Sequence, residues 1–455
     1  VGRGFETADV AKIHAAGALM RKTYGMTPLG FIHDLTWDAL PADVRNQIKL
    51  CLLDLIGVGI AGRKTALSDI IHRYAALEHN GQQPLPFDNR TASATGVALA
   101  YGMTIDSVDA HDGFNPAKGH IGCPLWPAIF ANAAGASGQD LLTTLAMGYE
   151  FGARCSIAQH GSVPDYHTSG SWGAVAAAAA SARLQSLSPA ITREALGIAE
   201  YHGPRSQMMR VIDHPTMLKD GSGWGAMCGV SAARLAANGF TGAPAIIVEN
   251  QPQFWSDLGR RWYLREQYFK PYPVCRWAQA PVKAMLDLRT AYNLHSTDIE
   301  AISITTFHEA TRLATAEPKT TEEAQYSTSF PVAVAAVLGR LDAADITGDN
   351  LQNEEVLRLS RTLKMQESSQ ANDAFPLRRK ARVAITLKDG RNILSAWHEP
   401  KWEHTDPPTA TQLRAKFFSY AEPVIGTARA TLIDEAVMEL EQHGAATILD
   451  LLTEP

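Results

Sequence analysis

Five short segments hold nearly all the side chains of this chain that could move protons or grip anions: Asp106–Gly122, Asp165–Gly173, Met209–Asp220, Phe269–Trp277 and Gln325–Phe330. Each sets His, Lys, Arg, Asp or hydroxyl groups beside Gly or Pro. That is the composition of loops and element ends, where side chains from distant parts of a chain converge without disturbing a core. The pattern is that of an active site assembled from separate pieces.

The first segment carries Asp106, Asp109, His111, Asp112, Lys118 and His120. Carboxylates beside imidazoles share protons, because a carboxylate fixes the tautomer of a His and raises its basicity. The same residues suit a divalent metal, since carboxylates favour hard cations and imidazole favours transition metals. An exposed acidic helix end followed by a polar loop is the equally weighted plain reading. In the second segment His167 precedes the Ala-rich run of residues 174–180, where Ser and Thr can cap a helix whose free N–H groups favour an anion. A His held there is pushed toward its neutral, proton-accepting form. The third offers Arg210 and Lys219 with His214 between them; Arg grips a carboxylate through two hydrogen bonds, Lys as a point charge. In the fourth, two prolines stiffen the backbone around Lys270, Cys275 and Arg276, and Cys275 is either a thiolate base or a small core residue. The hydroxyls of the fifth read as ordinary helix caps.

Positioning these segments falls to helices over residues 41–240, at Val44–Ala61, Ala94–Met103, Leu141–Ala158 and Gly173–Ala182. Ala favours helix and its methyl lets helices approach closely. After Tyr268 the pattern changes. Ile302 and Ile304 alternate with Ser and Thr in a half-buried strand, Lys380–Trp397 reads as a hairpin around Asp389-Gly390, and Pro331–Leu338 and Asn353–Leu363 read as helices. The expected fold is mainly α: a large all-helical domain of residues 1–267 plus 401–455, with a smaller α+β domain of residues 268–400 inserted before a helical stretch, Thr409–Leu452, that returns to the large one. A chain of 455 residues exceeds what one core usually supports.

With 41 Lys plus Arg against 47 Asp plus Glu, the net charge of −6 argues against nucleic-acid and anionic-membrane partners. The five cysteines are scattered, without a CxxC pair, as in a reducing cytosol. No apolar run reaches the ~20 residues that cross a bilayer, and the N-terminus lacks the order of a signal peptide. The expectation is a cytoplasmic protein whose partner is a small carboxylate.

In their order the segments resemble the MmgE/PrpD family, over residues from about 40 to 400. The Asp106…Asp109…Lys118-Gly119-His120 loop is similar to that family's Asp-rich loop ending in a His, and Tyr166-His167-Thr168-Ser169-Gly170 to its second His motif. Tyr268-Phe269-Lys270-Pro271-Tyr272-Pro273, the most specific match, resembles its approach to the small domain. Lys219 precedes the small-residue run Gly221-Ser222-Gly223-Trp224-Gly225-Ala226, as the family's active-site Lys does. The resemblance implies a site between the two domains built from Asp106, His120, His167, Lys219, Lys270 and the position of Cys275. It also implies a chorismate-mutase-like small domain, a homodimer and no organic cofactor. Cys275 stands where the decarboxylases of the family tend to carry a His, and Phe330 where they carry a Tyr.

Dehydration, decarboxylation and epimerisation of a small polycarboxylate share a carbanion next to a carboxylate, which needs cations where charge develops. The expected catalytic groups are His120, His167, Asp106, Lys219 and Lys270, with Asp106 orienting His120. Arg210, His214, Lys118, Cys275 and Arg276 are the expected substrate-binding groups. Two alternatives stay open: an epimerase of a dicarboxylate such as iminodisuccinate, and a metal-dependent hydrolase using the Asp106–His120 loop.

Overall fold

A computed structural model describes residues 26–454. The N-terminal stretch read for a signal peptide begins outside the described residues.

At the centre of the helical layer lies the Ala42–Gly62 helix, in which every residue from Cys51 to Ile60 is buried. A helix apolar on all sides must be surrounded. It packs on Ala94–Asp106, Gly122–Phe130, Gly138–Ser162 and, from the far end of the chain, Ala410–Met438. That last helix is kinked at Gly426, whose φ of +77° only glycine adopts without strain. The Ala-rich helix Gly170–Leu184 is buried from Gly170 to Ala182 and lies against Ser222–Ala237. Its contact depends on small residues: a Cβ added at Gly229 would sit 2.5 Å from the Ala177 methyl. Side-chain oxygens of Ser93, Ser137 and Thr409 each accept a first-turn N–H and fix where three of these helices start.

The remaining part is built on a four-stranded sheet in the order Lys364–Glu367, Ile299–Thr306, Arg382–Leu387, Asn392–Leu394. The first pair is parallel and the other two antiparallel. Arg382–Leu387 alternates half-buried and buried residues along its length, the period of a strand with one face on a core. The turn after it places Gly390 at φ +89°. Helices Arg276–Tyr292 and Glu354–Thr362 pack on this sheet, and Ser329–Leu338 packs on both helices.

Apolar side chains form two large clusters. One runs from Phe31 to Phe269 and includes Leu413 to Leu452; the other runs from Val274 to Ile393. A two-residue ribbon joins Gly113–Phe114 of the Asp-rich loop to Gln267–Tyr268, so the loop and the approach to Lys270 are held in register by backbone hydrogen bonds. The helical layer is therefore not purely helical, and this short ribbon is what positions the site.

Among the described residues no helix is long and apolar enough to cross a membrane.

Candidate functional site

The Asp-rich loop is not an exposed acidic turn. It leaves the end of the Ala94–Asp106 helix, reaches the start of the Gly122–Phe130 helix, and is buried except around residues 115, 116 and 118. Inside it the His111 and His120 rings meet edge to face with centroids 4.2 Å apart. His120 Nδ1 lies 2.6 Å from the Asp112 carbonyl, which can only accept, so Nδ1 carries the proton and Nε2 is the free base. Burial, followed by the neighbouring His111 and Lys270, holds His120 well below the usual imidazole range. It is a neutral proton acceptor.

The expected orienting role of Asp106 is not what the geometry gives. Asp106 accepts the Ser222 N–H at 3.2 Å, fastening the start of the Ser222–Ala237 helix, and lies 3.5 Å from His111 Nε2. The carboxyl group facing His120 Nε2 is Asp220, at 4.0 Å. Ser169 Oγ donates to Asp220 at 2.5 Å and accepts the His120 N–H at 2.9 Å, so it is no cap for the Ala-rich helix, which has no side-chain cap. Burial and then the Asp106 carboxylate push the Asp220 carboxyl up to about 7, and its second oxygen has no hydrogen-bond partner.

Two ammonium groups close the cluster. Lys270, 1% exposed, pairs with the Asp109 carboxylate and donates to the Asp109 carbonyl at 3.3 Å. Burial alone would lower this Lys, but Asp109 and Tyr268 outweigh it and hold it above its ordinary value. Asp109 in turn is held far below the carboxylate range, because Lys270 and Lys219 outweigh its burial. Lys219, at a left-handed φ of +50°, donates to Gln325 Oε1 at 2.5 Å and stands 4.6 Å from the centroid of the Tyr326 ring. Gln325 Oε1 also takes the Asp109 N–H at 3.2 Å, and its amide donates to the Ser107 carbonyl at 3.0 Å. A residue of the second apolar cluster's half thus ties Lys219 to the Asp-rich loop.

Two cavities reach this cluster. One of about 260 Å³ is lined by Thr168, Arg210, His214 and Lys219; another of about 740 Å³ is lined by Lys64, Lys319, Tyr420 and Gln325. The bonded Lys219–Gln325 pair stands between them. Arg210 and His214 are exposed on the smaller cavity, within reach of a ligand that also meets Lys219.

Other expected site residues fall elsewhere. His167 bonds through Nδ1 to the Asp165 carbonyl at 3.0 Å; burial, followed by Arg205, lowers its imidazole, and its charged neighbours are Asp165 and Arg205 rather than Asp109 or Lys270. Arg276 is committed: its guanidinium pairs with Glu403, donates to the Phe269 and Lys401 carbonyls and stacks 3.8 Å from the Tyr268 ring centroid. Only its buried Nε is without a partner, so no two-pronged grip is left for a substrate carboxylate. Lys118 sits on the loop's outer turn over the Tyr166 ring, 4.8 Å away. Cys275 does face Asp109, Lys270 and Asp220, yet burial and then Asp109 push its thiol up to about 12, which removes it as a thiolate base. Asp220, Gln325 and Tyr326 escaped the sequence reading of the site. Asp220 adjoins Lys219 and the other two open the segment read as caps, so adjacency was their only signal.

Built up from its residues, this is a mainly helical protein whose buried acid–base cluster lies where a helical layer meets an α+β unit. The chain belongs to the MmgE/PrpD family: the family's N-terminal domain matches residues 29–259 and its C-terminal domain residues 272–442. A cis-aconitate decarboxylase-like protein, oryM, of Aspergillus oryzae is 25% identical over 474 residues, spanning 93% of this chain and 95% of its own. The cis-aconitate decarboxylase of Aspergillus terreus is 23% identical over 481 residues, spanning 93% and 94%.

Proposed function

We propose that this protein is a lyase that removes a carboxyl or hydroxyl group from a small di- or tricarboxylate through a carbanion next to a carboxylate. The observation that carries the reading is the buried juxtaposition of a neutral imidazole with a carboxyl group 4.0 Å away that is pushed up to about 7, and two ammonium groups nearby. Environments that push two titratable groups in opposite directions create an acid and a base that coexist at neutral pH. His120 Nε2 is the base that accepts a proton, and Asp220 is the acid that returns one to carbon or to a departing hydroxyl. Lys219 and Lys270 lie where negative charge accumulates, in surroundings dry enough for that charge to be felt strongly. Arg210 and His214 receive a second carboxylate from the smaller cavity. The relatives named as cis-aconitate decarboxylases support decarboxylation over epimerisation.

A bound divalent cation is the second reading, favoured by ligand atoms of Asp109, His111 and His120 that lie within 4.8 Å of one another. The Lys270 ammonium already holds the Asp109 carboxylate, so a cation there would displace it.

The test is incubation in deuterated water with cis-aconitate, citrate, malate and aspartate. Deuterium enters the carbon next to a carboxylate in at least one of them with the wild-type protein, and His120→Ala lowers the rate by about 10²- to 10⁴-fold. Absence of exchange with all four, or undiminished exchange in the variant, would refute the proposal.

A further inference from the structure

We infer, on the reading just given, that Tyr326 is a further catalytic residue, its phenol donating a hydrogen bond to the substrate carboxylate oxygen on which charge develops.

The argument begins with where the ring is held. Tyr326 follows directly on the short Thr321–Gln325 helix, its N–H bonded to the Glu322 carbonyl at 3.1 Å. One residue earlier, the Gln325 side chain binds Lys219 and its carbonyl takes the Cys275 N–H at 2.9 Å. Backbone and neighbours therefore leave the ring one place, against Met208, Val211, Cys275 and Leu313 and facing the Lys219 ammonium.

The hydroxyl is the unusual part. Tyr326 is 3% exposed, and among the described residues no group hydrogen-bonds its phenol, whose oxygen is not one of the fully buried orphans and so keeps an opening at its surface. Tyr149 and Tyr166 of the same region use theirs: Tyr149 donates to Asp112 at 2.6 Å, and Tyr166 to the Lys118 carbonyl. A donor on an otherwise buried ring that is left open instead of bonded to protein is available for a ligand to complete the bond. The ligand must be an acceptor that also tolerates an ammonium beside it, which describes a carboxylate. Burial, followed by Asp109, Asp220 and Asp106, keeps the phenol protonated and hence a donor throughout the working pH range. Lys219 and Tyr326 then form two donors on one carboxylate, one charged and one neutral, inside apolar walls that strengthen both.

The experiment is Tyr326→Phe, which keeps the ring and its stacking with Lys219 and removes only the oxygen. With the probe that wild type exchanges fastest, the variant's exchange rate falls by about 100-fold, the effect of deleting one preorganised donor. Its thermal midpoint stays level, because the hydroxyl has no protein hydrogen bond to lose. Exchange within about threefold of wild type would overturn the inference while leaving the proposed function intact. Loss of exchange together with a lowered midpoint would also overturn it, since the hydroxyl would then be structural. Wild-type protein that exchanges none of the probes refutes the reading of function and this inference with it.

Discussion

Replacing Lys270 with Met isolates the physics on which the site rests. Lys270 is 1% and Asp109 3% exposed, and removing the ammonium leaves a carboxylate in a site that water does not reach. Breaking a buried pair in this way typically costs about 3–5 kcal/mol. An independent bound comes from the carboxyl group's option to take up a proton instead. Starting from an ordinary value of about 3.9 and using ~1.4 kcal/mol per unit, holding it neutral costs about 4 kcal/mol at pH 7 and about 1.5 kcal/mol at pH 5. The Lys219 charge nearby eases the cost, so the lower end, about 3 kcal/mol at pH 7, is expected. The sign follows from linkage. In the wild type Asp109 is held low, so its stabilisation is present above the unfolded value and fades only as pH falls through the folded one. In the variant it is held high, so stability is present at low pH and is lost as pH rises. The gap between the two proteins must therefore widen from pH 5 to pH 7. Urea unfolding followed by circular dichroism at pH 5, 6 and 7 measures it. The double variant Lys270→Met with Asp109→Leu recovers most of the stability, because a buried pair exchanged for apolar groups is close to neutral, but no activity. A penalty below about 1 kcal/mol, or one independent of pH, would refute the claim that this pair is dry and mutually dependent.

Asp112 gives a second pH signature. Burial, followed on balance by Asp54, pushes its carboxyl up to about 7 despite the hydrogen bond from Tyr149. A raised group contributes stability below its unfolded value and loses it as pH climbs through the folded one, so Asp112→Asn flattens the wild-type decline between about pH 4 and 7; parallel stability curves for the two proteins would count against it. For the metal reading, purified protein is expected to carry metal well below one equivalent and to keep its exchange activity in chelator. One equivalent lost in step with activity would reverse the assignment of Asp109 to Lys270.

The helices were legible because their signals are local. Ala-rich runs and apolar periodicity placed Ala42–Gly62, Gly138–Ser162 and Gly170–Leu184 within a few residues of the ranges read from the chain, and Asp389-Gly390 marked the hairpin. The edge strand Lys364–Glu367 was not legible: it is short, polar and mostly exposed, and it exists because the neighbouring strand offers a free edge.

Chemistry was legible as a set of residue types and not as a set of partners. Which carboxyl group faces which cation depends on contacts between positions 161 residues apart for Lys270 and Asp109, 106 apart for Lys219 and Gln325, and 127 apart for Arg276 and Glu403. No local pattern encodes those separations. The last pair decides the fate of a candidate outright, since Glu403 turns an apparent substrate-binding Arg into part of the framework. The same logic explains why Asp106 was paired with His120 in sequence while Asp220 faces it in space. The Ser222–Ala237 helix is fastened by Asp106, and that fastening delivers the residue two positions earlier, Asp220, to the imidazole. A carboxylate expected to do chemistry thus positions the one proposed to do it.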